Sequence, residues 1–395
     1  MTKTTSLPLL SMLAAFAVQA CAAPSSDDAS SDPMTSASNV ENEGAQDSNP
    51  AAGIAGKFGE RPVSTFAGVE QQGVAQMNAG EEIHAQLFVA SRKQTYDVLA
   101  YSFGIERKSQ VDLTGAKIAA SPSLSQLQLV VAKKAGVPSL SKDVFGGKPI
   151  GNLVLRQRDG YGKYVDVATF ENALVVNVSS NANDDVIENV SIDMPALKVQ
   201  QGSSWVRLSA IGDGASCSDP CPCGTSAGQI GPYVQTLSST LPIAKGAKRV
   251  ESASVSISNQ TLPTSGTLGI SASKPVLDGM SVSSAFETSG MCAAYKAADS
   301  QLIPSLTIGV AASSSTSKDP RESTTWEACF ATVKSVSFSS RFDSMAQEIE
   351  LDAGGLMRTD REWSATTGAL SSSTTTGWSF IKNSPITSCA GAASL

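Results

Sequence analysis

The chain has 395 residues, of which 41 % are apolar, 16 % charged and 6 % aromatic, with a formal charge of −7. That acidic balance excludes a nucleic-acid partner, because phosphate binding needs clustered Lys and Arg. One histidine and seven cysteines exclude multi-histidine metal sites and leave a single candidate for any Ser-His or Cys-His mechanism.

Residues 1–20 have the form of an export signal. Lys3 gives a positive start, and Leu7 to Val18 form an apolar run broken by Pro8 and Ser11. The run is too short to span a bilayer. It ends in Val18-Gln19-Ala20-Cys21, which resembles the lipobox of bacterial lipoproteins. That resemblance implies lipidation of Cys21 and a membrane partner reached through the lipid anchor. Ordinary cleavage within Ala20-Cys21-Ala22-Ala23 is the alternative. Either way the expected location is the bacterial cell envelope, as an outer-membrane lipoprotein or in the periplasm, with surface exposure or secretion also open.

From Cys21 to about residue 80 the chain is rich in Ser, Ala, Asp, Asn and Pro, with acids at Asp27, Asp28, Asp32, Glu41, Glu43 and Asp47. Too little apolar surface is available there to offset the ordering entropy, so 21–80 is expected to be a disordered acidic tether.

Alternation begins near Glu82. Ile83, Ala85 and Leu87 share one face, as do Leu127, Leu129 and Val131, then Leu153 and Leu155, then Val190, Ile192 and Met194. Period two in short segments predicts half-buried antiparallel strands. Turns are expected at Gly146-Gly147, Asp159-Gly160 and Asn181 to Asp185. Ser139–Phe145 is the one short helix of this region, ended by Gly146.

The plan then repeats. Without a gap, Leu174 falls on Val333, Asp184 on Asp343, Val190 on Ile349, Ile192 on Leu351 and Leu197 on Leu356. Upstream, Ser139–Phe145 with Leu153-Val154-Leu155 has its counterpart in Cys292–Ala298 with Leu306-Thr307-Ile308. The expected fold class is mainly β, as two tandem small antiparallel barrels with one short helix each. The first covers residues 81–202 and the second, more divergent, 247–361. A Cys/Pro/Gly-rich connector spans 203–246 and a Ser/Thr-rich extension 362–395.

The string Tyr96-Asp97-Val98-Leu99-Ala100-Tyr101-Ser102-Phe103-Gly104 resembles the early strand of the Hcp family, the tube-forming proteins of type VI secretion. The order that follows is similar too: strand 127–131, Lys133-Lys134, a short helix, strand 153–155 and a hairpin from Val165 to Val199. The resemblance covers about residues 82–200. It implies a small β-barrel with one flanking helix, assembly into rings that stack as a tube, and self-association or other envelope and secretion proteins as partners. A signal, a tether, a second copy and paired cysteines are departures from that family.

Six cysteines remain after Cys21: Cys217, Cys221, Cys223, Cys292, Cys329 and Cys389. An even number in an exported chain favours disulfides, with fifteen pairings open. A three-thiolate metal site at Cys217, Cys221 and Cys223 is the sharper alternative, but its spacing matches no common zinc module. No metal or cofactor is expected.

No catalytic residue is assigned. Gly224-Thr225-Ser226-Ala227-Gly228 fits a nucleophile elbow, yet a Cys/Pro loop precedes it and no histidine follows. Ser271-Ala272-Ser273-Lys274 fits Ser-x-x-Lys within a Ser-rich run. His84 reads as a strand or rim residue. Asp184-Asp185 is a turn pair and Glu348/Glu350 a solvated strand pair. Trp205, Trp326, Trp363 and Trp378 could stack a glycan, or belong to cores and interfaces. The leading expectation is a non-enzymatic exported protein acting by assembly or protein binding. Next come a polysaccharide-binding surface lipoprotein and then a hydrolase.

Overall fold

Alternating apolar residues fold into most of the strands. The computed structural model describes residues 83–111, 117–133, 136–180, 187–210, 214–224, 230–236, 245–263, 270–299, 301–311, 321–341, 344–364 and 366–393. The signal at 1–20, the tether at 21–80 and Cys21 lie outside the described residues, as do Asp184, Asp185 and Asp343.

The first half contains β1 (Ala85–Val89), β2 (Gln94–Val111), β3 (Lys117–Leu124), β4 (Leu127–Ala132), α1 (Ser141–Gly146), β5 (Gly151–Arg158), β6 (Tyr164–Ser179), β7 (Ile187–Asp193), β8 (Ala196–Gln201) and β9 (Ser204–Ser209). Leu87, Val89, Leu127, Leu129, Val131, Leu153 and Leu155 are all buried, as their period-two spacing requires. In β2 the buried set changes parity, from Tyr96 and Val98 to Tyr101, Phe103 and Ile105. A bulge against β4, between Val98 and Ala100, supplies the extra residue that makes this possible.

Pairing runs in a circuit. β1 joins β2 and β5, β5 joins β6, β6 joins β7, β7 joins β4 and β4 returns to β2, all antiparallel. β8 branches from the first part of β6 and carries β9.

The second half contains β10 (Ala215–Cys217), β11 (Tyr233–Thr236), β12 (Lys248–Val250), β13 (Ser252–Pro263), β14 (Ile270–Ala285), α2 (Thr288–Ala298), β15 (Ile303–Ala311), β16 (Glu322–Ser340), β17 (Met345–Trp363), β18 (Leu370–Ser379), β19 (Ser384–Pro385) and α3 (Cys389–Ala393). Its pairs follow the same plan: β11 with β12 and β15, β15 with β16, β16 with β17, β17 with β14, and β14 with β13. β12 runs into β13 across Glu251. β10 pairs with β9, and β18 with β17, as β9 does with β8. Thus the stretch expected to be a connector supplies β9, β10 and β11, and the expected C-terminal extension supplies β18, β19 and α3.

Register repeats as well as order. Leu127 opposite Ile192 becomes Met280 opposite Leu351, and Leu153 opposite Phe170 becomes Leu306 opposite Ala328. Phe170 opposite Leu197 becomes Ala328 opposite Leu356. Even the irregularities recur: the break at Arg107 opposite Pro122 has its twin at Asn259 opposite Pro275. One detail of the ungapped match is corrected. Val175, not Leu174, stands where Val333 does, because each pairs with its Ile192 or Leu351 counterpart. The second hairpin is one residue longer, so the alignment shifts by one across its turn.

Two differences between the halves follow from the chain itself. From Leu124 to Leu155 the first copy aligns without a gap on Leu277 to Ile308, which sets Pro138 against Met291. A proline within a helix removes a hydrogen bond and clashes with the preceding turn, so α1 begins only after Pro138 whereas α2 starts a further turn and more upstream. β1 is antiparallel to both neighbours, β11 parallel to both. The short turn Ala90–Lys93 can only reverse the chain between β1 and β2.

Candidate assembly interface

The two copies meet edge to edge. Residues Ser102–Glu106 of β2 pair antiparallel with Ser335–Ser339 of β16, Phe103 opposite Phe338 and Gly104 opposite Ser337. Every described residue lies in one unit, Gln76–Leu395, through which a single buried apolar cluster is continuous. At the joint the Phe103 and Phe338 rings are 5.3 Å apart. Phe170 meets Phe103 edge-on at 5.2 Å, and Phe286 meets Phe338 edge-on at 5.7 Å. Tyr101 N donates to Ser340 Oγ at 3.0 Å, lengthening the seam by one side-chain bond.

Gly104 is required here. A Cβ at that position would run into the Val336 carbonyl oxygen. The glycine that ends the Asp97–Gly104 string therefore admits the neighbouring copy's backbone. Sequence reading took it only as part of the resemblance, although a glycine inside an alternating strand is itself a signal of close backbone approach.

Beneath the joint lies α2, which packs on β16 of its own copy and on β2 and β9 of the other. Met291, Cys292, Ala293, Ala294 and Ala297 are fully buried, and small side chains let the helix fit between two sheets. Thr288 Oγ1 donates to Gln201 Oε1 at 3.1 Å across the copies. At the start of α2 the buried Gln347 side chain accepts from Glu287 N (3.1 Å) and donates to Ser284 Oγ and Ser289 Oγ (both 3.0 Å). Gln347→Ala would leave Glu287 N without its acceptor, at about 1–3 kcal/mol, while Ser284 Oγ and Ser289 Oγ keep their bonds to Ala285 O and Glu287 Oε1. We expect a drop of several °C in Tm by calorimetry. Gln347→Glu keeps the acceptor for Glu287 N but buries a carboxylate without a cation, so it should be destabilised as well.

The six cysteines pair as Cys217–Cys221, Cys223–Cys292 and Cys329–Cys389. Cys217, Cys221 and Cys223 do not converge on one site, which corrects the three-thiolate alternative: two bond each other and the third bonds α2. Cys329–Cys389 locks α3 over β16, with Met357, Ile386 and Ala392 buried beneath. The matching face of the first copy is charged instead. Glu171, at the Cys329 position, accepts two bonds from Arg207 at 2.8 and 2.7 Å. That guanidinium holds the Glu171 carboxyl below its ordinary range.

The remaining candidates are scattered. His84 precedes β1, and its carbonyl accepts from Arg158 N at 2.8 Å. Ser226 lies outside the described residues. Ser271–Lys274 sits in the first part of β14. Glu350 pairs with Lys334 at 3.3 Å. The neighbouring Glu348 is pushed up first by partial burial and then by the Glu350 charge. Trp205, Trp326 and Trp363 each lie under one cation, Lys198, Arg358 and Arg321 respectively. Trp378 occupies β18 opposite Leu356.

The chain is similar to type VI secretion proteins of known structure. A structure described as a type six secretion system protein shares 17 % identity, over 35 % of this chain and 85 % of that one, at a TM-score of 0.31. Hcp1 from the E. coli EAEC 042 pathovar shares 15 % identity over 35 % of this chain and 98 % of its own, at 0.25. For Hcp1 from Flavobacterium johnsoniae the values are 15 %, 29 %, 92 % and 0.24. At these scores the neighbours carry no argument, and the mainly β architecture rests on the ladders above. No family model and no curated protein matches the chain. Among the described residues no helix is long and apolar enough to cross a membrane.

Proposed function

We propose that this chain is an exported, non-catalytic structural protein that works by self-association, a tube-like building block of the kind its Asp97–Gly104 string resembles. Its two copies take in the expected 81–202 and 247–361 together with strands on either side, β9 in the first and β11 and β18 in the second. The acidic tether and a lipid on Cys21 would hold them at the bacterial envelope, free to meet other copies or secretion proteins. The observation that carries this reading is the β2–β16 joint, because the chain already contains one association between two like units made by strand pairing. Three disulfide pairs suit an oxidising compartment and support the exported location.

Mass measurement and electron microscopy of the purified mature protein test the reading. Concentration-dependent oligomers are expected. A strict monomer at high concentration, with no ring, stack or filament, would overturn it. In the same sample, an acylated Cys21 at the mature N-terminus supports the anchor, and an unmodified N-terminus removes it.

A further inference from the structure

The joint inside the chain uses two different edges, one from each copy, and each edge has an equivalent in the other copy. The ladders against β4 and β14 place Ser102–Glu106 of β2 on Ser254–Ser258 of β13: Tyr101 opposite Leu129 corresponds to Ala253 opposite Val282, and Ile105 opposite Leu124 to Ile257 opposite Leu277. The ladders against β7 and β17 likewise place Ser335–Ser337 of β16 on Asn177–Ser179 of β6. In the joint both edges carry a strand on each side. Among the described residues their equivalents carry one only, β14 beside Ser254–Ser258 and β7 beside Asn177–Ser179.

We propose that a second copy of this chain occupies those edges. Ser254–Ser258 of one chain pairs antiparallel with the Asn177–Ser179 end of β6 in the next, in the register already made within the chain. That sets Val178 opposite Ile257 and Asn177 opposite Ser258. The inference rests on the self-association reading and names its interface.

Exposure at equivalent positions supports it. Ile257 is 51 % exposed where Ile105 is 2 %, and Phe145 of α1 is 90 % exposed where its counterpart Ala298 in α2 is 6 %. α2 is covered by the neighbouring copy's β2 and β9, and α1 lacks any such cover among the described residues. A second chain seated on the β6 edge brings its own β13 and β18 to that helix. Open edges of this kind are templates for strand addition. Because the two edges differ, each addition leaves one of each kind free, so the contact is heterologous and either closes as a ring or continues as a filament.

The equivalence departs at the aromatic pair, since Val255 stands where Phe103 does and Ser180 where Phe338 does, and at one glycine. Ser256 stands where Gly104 does, and in the internal joint any Cβ meets the facing carbonyl. The joint between chains therefore sits wider and is weaker than the one within.

Sedimentation velocity on the mature protein and on variants matched for Tm tests the proposal. Ile257→Lys and Val178→Lys should each raise the dissociation constant at least about tenfold. Phe145→Ser should weaken association, and Ser256→Gly should strengthen it several-fold. Amide exchange at 177–179 and 254–258 should slow on association. Oligomers whose constants ignore the two lysine variants and whose exchange at both edges is unchanged overturn this interface while leaving self-association standing. A wild-type monomer overturns both.

Discussion

Phe338→Ala is expected to lower the unfolding free energy by about 3–5 kcal/mol, the usual cost of emptying a buried aromatic site. The ring is fully buried and touches Phe103 of the first copy and Phe286 of its own. The surrounding sheet cannot collapse into the void, because β16 is hydrogen-bonded on both sides at this point, to β17 and to β2. Denaturant titration read by intrinsic fluorescence measures the loss. The transition should also divide, since the second copy loosens from the first once the seam is opened. A loss below about 1 kcal/mol with one unchanged transition would mean that the two cores are not coupled through this ring.

Removing Cys223–Cys292 by the double substitution Cys223→Ala/Cys292→Ala should cost about 4 kcal/mol, from the entropy of closing a loop of that length. The bridge spans 69 residues and ties the segment before β11 to the buried face of α2. Its loss frees the connector in the unfolded chain and unpins the helix that both sheets clasp. The same relation gives about 2 kcal/mol for Cys217–Cys221, which spans only 4 residues. Calorimetry without reductant should rank the two double variants in that order, and equal Tm values would refute the loop-length argument.

Strand faces were legible wherever alternation ran unbroken. Leu127, Leu129 and Val131, and Leu153 with Leu155, lie buried as their spacing requires. The repeat was legible too, since Leu153-Val154-Leu155 and Leu306-Thr307-Ile308 occupy the same ladder positions. What escaped was whatever depends on a partner distant in sequence. The bulge in β2 between Val98 and Ala100 flips the buried face within one string, and only the strand opposite fixes where that happens. The reversed β11 has four residues, Tyr233–Thr236, too few for a period to stand out. Two of the three disulfides join residues 60 or more positions apart, Cys223 to Cys292 and Cys329 to Cys389, so spacing could not choose their partners. At the joint, Gly104 carried a readable signal, whereas Ser335–Ser339 could not be told from any other Ser-rich strand edge.

Fusion of two units has a consequence for the symmetry of anything they build. The first copy presents the Glu171–Arg207 pair where the second presents α3 bolted down through Cys329–Cys389. In an assembly built from such chains these two surfaces alternate, charged and then capped, with a repeat of one whole chain. Anything that grips such an assembly through that patch finds half as many seats as there are copies, spaced twice as far apart. A protein made of single identical units has no means of drawing that distinction, and this chain draws it because its two linked copies differ in sequence.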